Sequence, residues 1–145
     1  MSGRILAIDP GEKRIGIAIS DPTGTIARTL GVLKHTSMMV DVEEILKFSL
    51  ENVVVKIVIG ESKGEDGSET SQSRHAKKLA DCIHNHSSYP VELWDEYGST
   101  RVARETRLKM GVKKNKRNGH LDDLAAVIIL QSFLNDQIEK SGRNV

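Results

Sequence analysis

Residues Ile5 to Asp21 read ILAIDPGEKRIGIAISD. Two apolar runs enclose a short polar turn, and the first run ends on a carboxylate, Asp9. Ile5 to Ile8 and Arg14 to Ser20 have the β-branched character of strands, and Pro10-Gly11-Glu12-Lys13 places Pro and Gly where a tight turn needs them. The stretch predicts a hairpin. A strand gains nothing structural from ending on an acid, so Asp9 raises the functional question. Taken alone, it also fits an Asx-turn.

Working outward, a third extended run, Arg28 to Lys34, follows a turn around Pro22 to Gly24. Val42, Ile45, Leu46 and Ser49-Leu50 then recur at helical spacing, with Ser37 or Asp41 as the N-cap. Val53 to Ile59, VVVKIVI, is almost continuously apolar, which suits a strand covered on both faces and parallel to the first. Asp66 and Glu69 have the spacing of a capping box. They predict a helix whose apolar stripe is Ala76, Leu79, Ala80 and Ile83 and which Asn85 to Pro90 ends. Val91 to Trp94 reads as a short strand, and Thr100 to Met110 as another helix. Gly111 to Gly119, GVKKNKRNG, is a basic break. The last helix starts near Leu121, LDDLAAVIILQSFL, and Lys140 to Val145 reads as a frayed tail. The order β-β-β-α-β-α-β-α-α predicts an α/β fold, with an antiparallel hairpin set continued by right-handed crossovers to parallel strands. The expected organisation is one domain over residues 1–139 and a flexible tail at 140–145.

With 145 residues, 38% of them hydrophobic, the chain has room for one well-buried core rather than two ordinary domains. Lys and Arg number 21 against 20 Asp and Glu, so a nucleic-acid partner would have to be held by local patches rather than by net charge. The single cysteine, Cys82, excludes an intramolecular disulfide and reads as a buried free thiol. The N-terminus lacks the apolar core of a signal peptide, and no apolar run approaches the roughly 20 residues of a membrane span. The expectation is a soluble, cytoplasmic protein without a membrane partner.

In open α/β sheets ligands bind outside the carboxyl ends of the strands. Here the parallel strands end on Asp9, on Glu61, and on Asp95 with Glu96, while the last helix opens with Asp122 and Asp123. A strand-end loop or a helix dipole accounts for each acid singly. Together they are expected to converge on one edge, where carboxylates repel unless a cation neutralises them. Hard oxygen ligands suit Mg²⁺ or Mn²⁺. Two such ions about 4 Å apart support in-line displacement at a phosphodiester. The predicted chemistry is phosphodiester hydrolysis.

Asp9-Pro-Gly-Glu-Lys-Arg-Ile-Gly-Ile-Ala-Ile-Ser-Asp21, Asp66-Gly-Ser-Glu69, Asp95-Glu96 with Ser99-Thr100, and Leu121-Asp-Asp-Leu-Ala-Ala-Val-Ile-Ile-Leu-Gln131 together resemble the YqgF/RuvX family of RNase H-like proteins, over roughly Arg4 to Leu134. The resemblance implies an RNase H-like fold with a mixed five-stranded sheet flanked by helices. It implies a nuclease maturing the 5′ end of precursor 16S rRNA in ribosome biogenesis, or, in the family's other description, a Holliday junction resolvase. It assigns catalysis to Asp9, Asp95, Glu96 and Asp122, and metal binding to Asp9, Glu96 and Asp122. The chain departs from the pattern twice. Gly60-Glu61-Ser62 stands where the family usually has Gly-Leu-Pro, placing an acid where RuvC-type resolvases carry one, so Glu61 joins the expected catalytic and metal residues. Tyr97-Gly98 follows the acidic pair in place of the usual Arg.

Phosphate contacts are expected from Lys13 and Arg14 beside the first acid, and from Lys113, Lys114, Lys116 and Arg117 before the last helix. His120, close to Asp122, is an auxiliary candidate for proton transfer or phosphate contact. His75, His84 and His86 have no carboxylate partner in sequence and read as surface residues, and Trp94 as core. Only 3% of residues are aromatic, which favours recognition of backbone and shape over base stacking. The expected partner is precursor rRNA or branched DNA, with ribosomal particles as a further candidate, and the protein is a monomer or a homodimer. A non-catalytic nucleic-acid-binding module is the third option. An actin-like phosphotransferase would need two such domains.

Overall fold

The hairpin that the sequence predicts forms as β1 (Arg4–Pro10) and β2 (Arg14–Ser20), paired antiparallel with Leu6 opposite Ile19 and Asp9 opposite Gly16. The computed structural model describes residues 3–64, 66–95 and 119–141. The turn is closed by the Gly11 N–H donating to Arg14 O at 2.9 Å, and a Cβ on Gly11 would lie 2.4 Å from that same oxygen. Only glycine fits there. The chain continues through β3 (Ala27–Lys34), α1 (Met38–Glu51), β4 (Val54–Glu61), α2 (Ser71–Asn85), β5 (Val91–Asp95) and α3 (Gly119–Ser141). The strands form one five-stranded sheet in the order β3-β2-β1-β4-β5, with β4 and β5 parallel to β1.

Both sheet faces are covered, which explains why the middles of β1, β2 and β4 are largely apolar rather than alternating. The faces differ in side-chain size. Leu6, Ile8, Ile15, Ile17, Ile19, Ile57 and Ile59 pack under Val42 and Ile45 of α1 and Ala76, Leu79 and Ile83 of α2. On the other face the strands offer Ala7, Ala18 and Val58, and α3 lays Ala126, Ile129, Leu130, Phe133 and Leu134 against them. Small residues thus leave room for one long helix. Gly60 belongs to the same face, since a Cβ there would sit 2.5 Å from Ile129 Cδ1. Trp94 closes this core edge-on to Phe133 at 5.3 Å, its indole N–H donating to Ser132 Oγ at 3.1 Å, so it is a core residue as expected. Gln131 ties α3 to the start of β3, accepting from Ala27 N and donating to Thr25 O, both at 2.9 Å.

The turn between β2 and β3 is organised by Asp21. Its Oδ1 accepts from Ile26 N at 3.0 Å and Thr25 N at 2.8 Å, and its Oδ2 accepts from the Thr23 hydroxyl. These bonds, the Ile26 N–H foremost, hold the carboxyl well below the usual carboxylate range.

Several boundaries differ from the sequence reading. Thr70, not Asp66, caps α2: Thr70 Oγ1 accepts from Ser73 N at 3.0 Å and Ser73 Oγ accepts from Thr70 N at 2.8 Å, a capping box built from Thr and Ser. Asp66 is occupied in the preceding loop, accepting from Ser68 N at 2.9 Å, and Glu69 pairs with Lys77 at 2.8 Å. Ser37 caps α1, as one of the two candidates read there. Val53 does not open β4; it lies at φ 53° in the turn after α1 and is 77% exposed. The last helix continues through Lys140 and Ser141, with Lys140 Nζ 3.1 Å from Asp136, so the chain is still helical where a tail was expected to begin. The helix read at Thr100 to Met110, and the basic break apart from Gly119, lie outside the described residues.

Two opposite glycine effects follow. Val53→Gly removes a β-branched residue from the left-handed region at an exposed site, and thermal melting should show a gain of about 1 kcal/mol. Gly60→Ala forces Ile129 off its seat and should cost about 1–3 kcal/mol in the same assay.

Candidate nucleic-acid site

Asp9, Glu61 and Asp95 all lie at the carboxyl ends of the parallel strands, so the structure brings these strand ends to one sheet edge. Glu61 and Asp95 are direct register partners across β4 and β5. Their faces, however, separate them from Asp9. Side chains alternate along a strand. Asp9 follows Ala7 and pairs with Gly16, which places it on the α3 face. Glu61 follows Ile57 and Ile59 onto the opposite face, where its Oε2 lies 3.9 Å from Lys77 Nζ of α2. Glu61 is 4% exposed. The position beside Asp9 on β4 is Gly60, whose missing side chain is filled by Ile129. The structure therefore brings Glu61 to Asp95 but not to the Asp9 face.

Lys13 and Arg14 are exposed and follow Asp9 through the β1–β2 turn, at the same edge. Asp122 and His120 belong to the first turn of α3, and α3 packs on the Asp9 face. Glu96, Lys113, Lys114, Lys116 and Arg117 lie outside the described residues, as do Tyr97 and Gly98. Among the described residues no group of His, Cys, Asp and Glu side chains forms a ready metal cluster. The acids at the edge still fit a divalent cation in kind, because carboxylate oxygens are the hard ligands such ions take.

Sequence reasoning missed a second cluster at this edge. His35, in the loop between β3 and α1, directs Nδ1 at the carboxylate of Asp41, which is 2% exposed. Asp41 also accepts from Thr36 N at 3.0 Å, and the His35 N–H donates to Lys13 O at 2.9 Å. The backbone of His35 is thus fixed to the turn that follows Asp9, and its imidazole to Asp41. Asp41 thereby engages Nδ1 and orients the ring through it. His75 of α2 meets His35 edge-on, with ring centroids 5.8 Å apart. Read as a surface residue, it is instead partly buried, and desolvation first, then His35, holds it below the ordinary histidine range. The two histidines are 40 positions apart, and only the Ser37 and Thr70 caps, which fix where α1 and α2 begin, could have pointed to their meeting. Cys82 is free and only half-buried, with Met39 Sδ at 3.8 Å.

The chain has close relatives. The family model described as RuvX: Holliday junction resolvase matches residues 3–136. A protein of Clostridioides difficile (strain 630) named "Putative pre-16S rRNA nuclease" is 36% identical over 138 residues, covering 95% of this chain and 98% of its own. One of the same name from Thermoanaerobacter pseudethanolicus is also 36% identical over 138 residues, covering 94% and 99%. Among solved structures, Thermus thermophilus RuvC in complex with a Holliday junction substrate aligns with a TM-score of 0.59 at 18% identity over 94% of this chain and 96% of that one. The fowlpox virus Holliday junction resolvase aligns at 0.55 and 15% identity, over 92% and 99%. These likenesses establish the RNase H-like sheet shared with RuvC-type resolvases.

Removing the carboxylate that holds His35 tests the cluster. Asp41→Ala leaves Thr36 N and the imidazole without their acceptor and should lower stability by about 1–3 kcal/mol, read by chemical denaturation. Asp41→Asn keeps one acceptor and should cost less.

Proposed function

The chain belongs to the RuvX family, and on that premise we propose that it is a metal-dependent endonuclease that hydrolyses phosphodiester bonds in structured nucleic acid, processing the 5′ end of precursor 16S rRNA. The observation that carries the reading is Asp9: an acid at the carboxyl end of the central strand, on the face that α3 covers, followed by a turn with two exposed cations, Lys13 and Arg14. The rRNA substrate rests on the relatives' names.

In this reading Asp9, Glu96 and Asp122 are the residues that would hold Mg²⁺ or Mn²⁺, and Asp95, set beside Glu61 by the register, serves catalysis from the same sheet edge. The ions supply activation of a water and neutralisation of charge on the cleaved phosphate. The chain's own part is to hold the acids at one edge and to place the substrate backbone against them. Lys13 and Arg14 contact phosphates on one side, and Lys113, Lys114, Lys116 and Arg117 on the other, with His120 as an auxiliary near Asp122. Glu61 takes a structural part in this reading: its buried Oε2 has no hydrogen-bond partner among the described residues, and Lys77 on the far face stands 3.9 Å away. The protein acts in the cytoplasm as one domain over residues 1–139, and the described residues include no helix long and apolar enough to cross a membrane.

The family's description favours a second reading, a Holliday junction resolvase. Paired symmetric nicks would require two sites related by a dimer axis.

The test is cleavage of a labelled 16S precursor 5′ leader and a four-way DNA junction with Mg²⁺, Mn²⁺ or EDTA. Wild type should cut the leader only with metal. Asp9→Asn should lose at least about a hundredfold in rate, and Glu61→Gln should stay within about tenfold of wild type. Equal losses in the two variants would return Glu61 to the metal site. Paired nicks in the junction, with the leader intact, would establish the resolvase reading. Binding without cleavage of either substrate would establish the non-catalytic module.

A further inference from the structure

The edge that carries Asp9 also carries an open pocket of about 280 Å³, on the α1 and α2 side of the sheet. Its floor is the turn directly after Asp9, Pro10 and Gly11. Its walls are the imidazoles of His35 and His75, and the first turn of α2 contributes Ser71 and Gln72. We propose that this pocket receives an unpaired nucleobase of the substrate strand, next to the phosphodiester that is cut at Asp9. This inference rests on the nucleic-acid reading above.

The lining decides the ligand class. Among the described residues Glu12 borders the pocket and neither Lys nor Arg does, so on these walls a phosphate would meet a carboxylate. A neutral, flat group meets complementary surfaces. A proline ring and two imidazoles offer faces for stacking, and splayed-out bases stack on such rings. Ser71, Gln72 and Glu12 offer hydroxyl, amide and carboxylate groups to a base edge. The imidazoles are fixed in advance, His35 by Asp41, with its backbone N–H held on Lys13 O, and His75 by its place on α2 against His35. Burial keeps His75 in its uncharged form near neutral pH. The pocket opens beside a turn whose next residues, Lys13 and Arg14, are exposed. A strand whose phosphates follow these cations across the sheet edge therefore has a base within reach of the pocket while a phosphate stands at Asp9.

The experiment scans single abasic residues through short single-stranded RNA oligonucleotides spanning the leader cleavage site. Binding is read by fluorescence anisotropy with Ca²⁺, and cleavage of the leader is read separately with Mg²⁺ and Mn²⁺. Wild type should lose roughly tenfold in affinity when the abasic residue stands at one position beside the cut, and little elsewhere. His75→Ala should bind the intact strand about tenfold more weakly and show no further loss at that position, whereas His75→Phe, which keeps a flat face, should retain the positional loss. Gln72→Ala, at an exposed position, should blunt the profile even if His75→Ala fails to fold. A flat profile in wild type, or an unchanged profile in His75→Ala and Gln72→Ala, overturns the pocket. Failure of leader cleavage overturns the nuclease reading alone, because the binding profile still decides the pocket. No binding to any oligonucleotide overturns the pocket and leaves the nuclease reading to the leader assay.

Discussion

The structure depends on keeping β1 and β4 dry on both faces. Their parallel pairing sets Leu6, Ala7 and Ile8 beside Ile57, Val58 and Ile59, all 0% exposed. A charge in the middle of either strand would lose its hydration without a partner. In β1 and β4 the carboxylates, Asp9 and Glu61, therefore stand at the carboxyl ends, and because β1, β4 and β5 run parallel, those ends share one edge. The location of the acids follows from the burial of the strands. The site is where the sheet first allows a charge.

The two faces impose different conditions on what can gather there. Ala7, Ala18 and Gly60 bring α3 close to the sheet, so Asp9 emerges from beneath a helix whose first turn contains Asp122. The other face is filled by isoleucine and leucine, and α1 and α2 stand over it. Glu61 is caught on that side, its Oε2 buried and 3.9 Å from Lys77 Nζ. Lys77 divides its attention, lying 2.8 Å from Glu69, and its own pKa is raised chiefly by that hydrogen bond.

The strands were legible because their apolar runs are long and their turns carry Pro and Gly. Their parity was not. In VVVKIVI nearly every residue is apolar because both faces are covered, so no alternation marks which residues look which way, and Glu61 could be read as a neighbour of Asp9. Size was the overlooked signal: Gly60 among isoleucines marks the crowded side. The start of α2 was missed because Asp66-x-x-Glu69 and Thr70-x-x-Ser73 both have capping spacing, and only the loop's use of Asp66 decides between them. The His35–Asp41–His75 cluster depends on a loop and two helices meeting across the sheet edge, which no local pattern encodes. The dearth of aromatic residues likewise hid that imidazoles supply flat faces here.

A cleavage site needs more than acids and cations. Lysine and arginine bind every phosphate alike, so Lys13 and Arg14 can hold a strand at the edge without fixing which phosphodiester faces Asp9. Register must come from a contact that differs between nucleotides. The pocket is suited to that task because it shares its backbone with the site: Pro10 follows Asp9, and His35 is bonded to Lys13 O. A base seated against the imidazoles would thereby fix the strand relative to the carboxylate through a single rigid turn, with Gly11 shaping it by a contact no side chain would permit. Cutting position and strand binding would then be set by opposite faces of the same β1–β2 hairpin, the acid facing α3 and the register pocket facing α2.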